Sequence, residues 1–270
     1  MTTGQKVIKY LALAFAIFLS ISILSGICGA VGVVFGLVSD GTEGKMSEYV
    51  IENDVTDLII DINAAKLEIK TGKQLKLETN HKYISYELNG RRLEIREKRP
   101  FFMSHLNNMK VVLTIPEETM FESVELNTGV GEVTIDELLT DSLVMNLGVG
   151  ELKAGRIQSL NQVEIDGGIG DVTIADGHLH NADIDMGIGE LNLSGRLEGA
   201  GSIDYGLGET NLTLEGTAED YRIELDKGIG EAKLENQKMH DDSIYGAGSN
   251  RIEIDGGVGE LNISFKEICQ

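Results

Sequence analysis

The sequence predicts an all-β protein: a single-stranded β-solenoid (β-helix) of about 20-residue coils, preceded by one N-terminal transmembrane α-helix. Three observations predict it. A Gly-x-Gly-acid motif recurs seven times, as Gly129-Val130-Gly131-Glu132, Gly148-Val149-Gly150-Glu151, Gly168-Ile169-Gly170-Asp171, Gly187-Ile188-Gly189-Glu190, Gly206-Leu207-Gly208-Glu209, Gly228-Ile229-Gly230-Glu231 and Gly257-Val258-Gly259-Glu260. From Val55 onward the apolar residues alternate as in strands, no apolar series follows a helical period, and the whole chain has 2 prolines. The stretch from Tyr10 to Val38 carries no charge.

The N-terminal segment comes first. A helix needs about 20 apolar residues to cross a bilayer, and Tyr10–Val38 is long enough to span with some tilt. A cleaved signal peptide, the alternative, has an apolar region of about 7–15 residues and a small-x-small site; Cys28-Gly29-Ala30 is a poor one. Lys6 and Lys9 precede the helix, whereas Asp40, Glu43 and Glu48 follow it with Lys45. Positive charge stays in the cytoplasm, so residues 1–9 are expected inside and everything after Val38 outside the bacterial cell membrane. Ser22, Gly26 and Ala30, and the separate pair Gly32 and Gly36, would let two such helices approach, making a homodimer an alternative to ordinary membrane glycine usage.

Residues 39–53 read as a polar linker and 54–120 as an irregular β segment that caps the stack. In it, Asn63-Ala64-Ala65-Lys66 takes the place of Gly-x-Gly-acid, Tyr83–Ile95 reads as a hairpin closing through Asn89-Gly90, and Arg96–Lys110 is a loop. Residues 121–268 are the regular repeats. Strand parity breaks inside each motif: Val163, Ile165 and Ile169 share one parity, Val172 and Ile174 the other. Side chains alternate strictly along a strand, so the break marks a corner, and glycine suits a corner because it adopts positive φ without steric cost. A second corner recurs at Gly155-Arg156-Ile157, Gly177-His178-Leu179 and Gly195-Arg196-Leu197. A meander of hairpins is the competing arrangement, but it does not require the same turn chemistry at the same offset in every unit.

Composition excludes some partners. The formal net charge is −21, from 44 acidic and 23 basic residues, which repels nucleic acid and anionic lipid and favours a divalent cation or a cationic peptide. Cys28 and Cys269 are too far apart in role to pair, so the exported domain stands without an internal disulfide. The acid of each motif, and the Asx two residues before its first glycine, would stack into two ladders of like charge. Unit charges about 4.8 Å apart repel by roughly 0.9 kcal/mol in water, and solvation, cations or corner amides must offset that. Asp166, Asp171, Asp185, Glu190, Asp204 and Glu209 are therefore the candidate cation ladder, weighed against plain capping of corner amides. Asp166-Gly-Gly-Ile-Gly-Asp171 departs from the calcium-binding nonapeptide in acid spacing and in period.

No catalytic constellation emerges. Gly-x-Ser-x-Gly, a phosphate-binding loop and a zinc-protease helix are absent, and the motif lacks the third glycine of a dinucleotide site. A carboxylate pair for sugar hydrolysis would be singular, whereas these carboxylates are periodic. His178 and His180 are two apart with no third ligand near them in sequence. No cofactor, no resident metal and no enzyme activity are expected.

The anchor, the Val111–Pro116 strand and the segment Leu126-Asn127-Thr128-Gly129-Val130-Gly131-Glu132-Val133-Thr134-Ile135 resemble the bacterial "putative adhesin" β-strand-repeat family over about residues 50–265. That resemblance implies a membrane-anchored envelope protein, in some cases from operons answering envelope stress, with no family catalytic residue to transfer. The expected role is an adhesin-like scaffold or envelope-protein binder; the alternatives are an envelope-stress sensor for cationic peptides or divalent cations and, more remotely, a polysaccharide-acting enzyme. Within the third repeat, the sequence ranks Ile169→Asp as most damaging, Gly170→Ala as intermediate and Asp171→Asn as near neutral.

Overall fold

Alternating apolar residues build strands, and corner residues decide how one strand hands the chain to the next. The computed structural model describes residues 45–98 and 109–267; the expected membrane helix over 10–38, with its small-residue stripe, lies outside the described residues. Among the described residues the structure is all-β, and no helix is long and apolar enough to cross a membrane.

The leading strands are β1 (Ser47–Val50), β2 (Asp57–Ala64), β3 (Lys66–Gly72), β4 (Lys76–Thr79), β5 (Ile84–Asn89), β6 (Arg92–Glu97) and β7 (Lys110–Pro116). The repeats occupy β8 (Met120–Asp166), β9 (Ile169–His180), β10 (Ala182–Glu198), β11 (Ala200–Glu215), β12 (Tyr221–Asp226), β13 (Ile229–Leu234) and β16 (Asn250–Lys266). Two short strands, β14 (Gln237–Lys238) and β15 (Ser243–Tyr245), lie between β13 and β16.

Repeats pair in parallel and in register. Ile184 aligns with Ile165 and Ile203, and Ile203 with Ile254. On the following strand Leu193 aligns with Ile174 and Leu212, and Leu212 with Ile263. All these side chains are buried and belong to one apolar cluster with the leading segment, as expected of units that bury their apolar faces only by stacking. Asn63-Ala64-Ala65-Lys66 does occupy a motif position: Ala64 pairs with Val130 and Leu67 with Val133.

The order of the stack is not the order of the sequence. The seventh repeat, on β16, lies between the fifth on β11 and the sixth on β12 and β13. Gly208 aligns with Gly259, and Gly259 in turn with Gly230. The long interval between the sixth and seventh motifs supplies the chain for this return. It also supplies β14 and β15, which run antiparallel to β13 and β12 and cover the outer side of the sixth repeat. At the other end β4 is antiparallel to β7, and β5 to β6. Antiparallel partners at both ends cover edges on which further chains could otherwise add.

Two local readings change. The β5–β6 turn is centred on Gly90 and Arg91, with Asn89 paired to Arg92 and only Gly90 at positive φ (67°). Glycine at the first central position is the type II′ pattern. The second corner is out of register by two residues between the second and third repeats, where Ile157 rather than Gly155 aligns with Gly177. A separate one-residue irregularity in β9, opposite Leu193–Gly195, brings Gly195 level with Gly177.

Candidate functional site

The outer face of the motif corner is the most regular surface of the molecule. Asp166, Asp185 and Asp204 stack in one carboxylate ladder, continued by Asp255 and Asp226. Asp171, Glu190 and Glu209 stack in a second, continued by Glu260 and Glu231. The six candidate ligands therefore fall on two lines rather than around one point.

Burial and like charge act together on one carboxyl of the first ladder. Burial, and then the charges of Asp255 and Asp185, push the Asp204 carboxyl above its ordinary range. Elsewhere local amides occupy the acids. Asp166 Oδ1 accepts from the Gly168 N–H at 3.1 Å, and Glu190 Oε1 accepts from Asn192 Nδ2 at 2.8 Å. Asn192 starts a ladder that sequence reasoning missed: Asn211 Nδ2 donates to Asn192 Oδ1 at 3.1 Å, and Asn262 Nδ2 to Asn211 Oδ1 at 3.0 Å. Its signal was present, an Asn two residues after the acid in the fourth, fifth and seventh motifs.

The corner glycines stack as closely as their backbones permit. Gly150, Gly170, Gly189, Gly208 and Gly230 have φ between 141° and 153°, and a Cβ on Gly170 would lie 1.7 Å from the Gly150 carbonyl oxygen. Of the other corner glycines, Gly168 and Gly228 sit at φ 56° and 60°, while Gly129, Gly131, Gly148, Gly187, Gly206, Gly257 and Gly259 each face a neighbouring carbonyl oxygen at 2.0–2.4 Å, or 1.7 Å for Gly259, from a built Cβ. The doubled glycines have a separate cause. A Cβ at Gly167 would meet Met186 Sδ at 2.2 Å, and one at Gly256 would meet Tyr205 Oη at 2.3 Å. Asp-Gly-Gly thus makes room for a large inward side chain on the adjacent coil, which accounts for its likeness to a calcium motif.

The residue between the two glycines points elsewhere than parity suggested. Val163 and Ile165 are buried, but Ile169 is half-exposed, and none of the seven central aliphatics is in the core or among the partly buried side chains packed on it. The parity break therefore falls before this residue and not across Gly170-Asp171: from Ile169 to Ile174 the alternation is unbroken, with Asp171 outside and Val172 and Ile174 inside. Ile169→Asp would place its charge beside solvent and the carboxylate ladders, so its expected rank as the worst substitution does not hold.

Two further clusters were invisible in sequence. His178 Nε2 lies 3.4 Å from Asp176 Oδ1 and 3.8 Å from Glu215 Oε2, which two coils of stacking bring beside it. The three ligand atoms lie within 4.8 Å of one another, a spacing that suits a divalent ion. Arg156 approaches Asp176 at 3.7 Å and Lys266 approaches Glu215 at 3.7 Å, so cations of the chain already serve both carboxylates. His180 takes no part in it; its Nδ1 lies 3.4 Å from the Asn161 carbonyl oxygen.

In the leading segment His81 and Glu97 are buried 3.3 Å apart. Glu97 Oε2 accepts from the amides of Asn63 and Ala64 at 2.8 and 3.1 Å, so a carboxylate from 33 residues away holds this glycine-free corner. Glu68 is a second buried acid there. Burial would raise its pKa, but hydrogen bonds from Lys110 and Lys70, each at 2.8 Å, outweigh that and hold it low.

A family profile described as Toastrack DUF4097 matches residues 47–263. The chain belongs to this family. Toastrack DUF4097 thus covers both the leading segment and all seven motifs, and three solved structures are similar to the chain. A "putative cell adhesion protein" from Clostridium sporogenes is 17% identical, with 82% of this chain and 99% of that one covered and a TM-score of 0.34. A "putative adhesin" from Bacteroides fragilis is 16% identical over 81% and 96% of the two chains, at a TM-score of 0.43. Another from Parabacteroides distasonis is 14% identical over 83% and 98%, at 0.33. No curated protein matches the chain. At such identities the likeness says nothing about a ligand.

Proposed function

We propose that the chain is a non-catalytic, membrane-anchored β-solenoid that binds or scaffolds at the extracytoplasmic face of the cell envelope. The observation that carries this reading is the in-register stacking of the motif: successive repeats present the central aliphatic and the acid of Gly-x-Gly-acid at the same place, so that face is periodic and not a singular reactive cluster. The charge-free run over 10–38 and its flanking lysines support a single-pass anchor with the repeats outside. Trypsin added to intact spheroplasts is expected to degrade the repeats and spare a short N-terminal fragment; full protection would contradict the topology.

A second reading, a sensor of divalent cations or cationic peptides, is favoured by one observation, the two lines of carboxylates that the register stacks side by side. A specific calcium site would raise the melting temperature at micromolar calcium where magnesium does not. An equal rise with sodium chloride at matched ionic strength would reduce the effect to screening.

A further inference from the structure

The seven central aliphatics form a stripe on the outside of the stack. Val149, Ile169, Ile188, Leu207, Val258 and Ile229 follow one another in register, and Val130 precedes them, since Gly148 and Gly150 stack on Gly129 and Gly131. Six are half-exposed and Ile229, at the end, is 51% exposed. A glycine on each side leaves every one of them standing clear along its strand. An acid ladder runs two residues after the stripe along its whole length, and three residues before it runs a second, carboxylate from Ile169 onward and amide, Asn127 and Asn146, beside Val130 and Val149.

An apolar ridge between two lines of negative charge selects its partner by elimination and by fit. Residues 111–270 carry 32 Asp and Glu against 9 Lys and Arg, while residues 1–110 carry 12 against 14. Anionic lipid, nucleic acid and a second copy of the same ridge would all bring negative charge to negative charge. An amphipathic helix with an apolar face and basic flanks brings the complement to both ladders at once. Six steps of about 4.8 Å give a stripe of roughly 29 Å, the length of about 19 helical residues at 1.5 Å each.

We infer that the corner stripe is a docking surface for a cationic amphipathic helix, laid along the stacking direction with its apolar face on the aliphatics and its basic flanks on the two acid ladders. The inference rests on the reading of the chain as a binding protein and specifies the partner. It makes the repeated Gly-x-Gly-acid do two things, a backbone corner and one contact point of a linear surface.

The test uses the full chain in zwitterionic nanodiscs, with empty discs as background. The probe is an 18-residue Leu/Lys peptide with its leucines on one helical face and a single Trp; the chain itself has no Trp. A scrambled peptide of the same composition and an oligolysine are the comparators. The amphipathic peptide is expected to bind at least tenfold more tightly than the scrambled one. Replacing the stripe with Ile188→Ser plus Leu207→Ser should abolish that preference while leaving oligolysine binding unchanged. Equal binding of the scrambled peptide overturns the inference, as does a preference that survives in a variant with unaltered circular dichroism. If the variant does not fold, a nitroxide on the peptide answers in the unmutated chain: methyl signals of Ile188 and Leu207 should broaden and those of exposed Leu160 should not, and equal broadening contradicts docking at the stripe. Stripe-dependent binding to anionic vesicles, or a stripe-dependent dimer in sedimentation, would also overturn it. Each of these failures leaves the spheroplast topology experiment, and with it the scaffold reading, untouched.

Discussion

The leading segment and the repeat stack solve the same problem, turning a strand at a corner, by different means. From the second motif onward each corner is glycine against glycine, and a Cβ on Gly189 would lie 1.7 Å from the Gly170 carbonyl oxygen. In the leading segment the corner is Asn63-Ala64-Ala65, and its amides are held by the buried Glu97 carboxylate. Alanine fits there because β6 stops at Glu97 and β7 starts at Lys110, so no corner of the described residues stacks on its outer side. Repetition makes the corner steric and local; an end of the stack can make it polar and long-range. The charge divides the same way, with the excess of acid confined to the stack.

The comparison can be broken first at its steric half. Gly189→Ala forces a backbone shift at a position with φ 145° and should cost about 4 kcal/mol or more, read as a loss of urea midpoint. A cost near 1 kcal/mol would mean that the corners are loosely stacked. Glu97→Ala tests the polar half: it leaves His81 and two corner amides buried without that carboxylate and should cost about 3 kcal/mol. Ala65→Gly, by contrast, should change stability by less than about 1 kcal/mol.

Inside and outside of one strand come next. Ile184 is fully buried and Ile188, four residues on, is half-exposed. Ile184→Ala should cost about 3 kcal/mol and Ile188→Ala less than about 1 kcal/mol; equal costs would return Ile188 to the core and remove the outer stripe.

The smallest effect concerns the acid ladder. Since the Asp204 carboxyl is raised in the folded state, its charged form opposes folding at neutral pH. That penalty fades as pH falls through the folded pKa towards the unfolded value near ~3.9. Asp204→Asn should therefore stabilise the chain at pH 7 by no more than about 0.5 kcal/mol after solvent screening, and by nothing measurable at pH 3.5. A destabilised variant at pH 7 would show the carboxylate to be a ligand and not a member of a repulsive ladder.

Much of this was legible in the chain because it is periodic. The motif interval predicts the in-register pairing of the repeats and both acid ladders, since each depends on residues two to five positions apart. The orientation of Ile169 does not follow from the parity of Val163 and Ile165, because the single flip falls between Ile165 and Ile169 and not at Gly170. The Glu97–His81 pair and the approach of Glu215 to His178 join distant residues through the fold, and no local spacing encodes them. The place of the seventh repeat is hidden for a different reason. Identical ladders match any neighbour equally well, so the motifs themselves cannot state their order, and the long sixth interval was the only mark of it.

That order is the claim most directly open to measurement. With Cys28 and Cys269 replaced by Ser, two double variants place thiols on the outer acid ladder: Glu209→Cys with Glu260→Cys, and Glu209→Cys with Glu231→Cys. Glu209 and Glu260 are register partners, as are Glu260 and Glu231. The first pair is thus one strand apart, about 4.8 Å, and the second two strands apart, about 9.6 Å, beyond the roughly 7 Å Cα limit of a disulfide. Mild oxidation should cross-link the first pair in nearly every folded molecule and leave the second as free thiols by mass. Cross-linking of the second pair with the first left free would put the repeats in sequence order and contradict the architecture described.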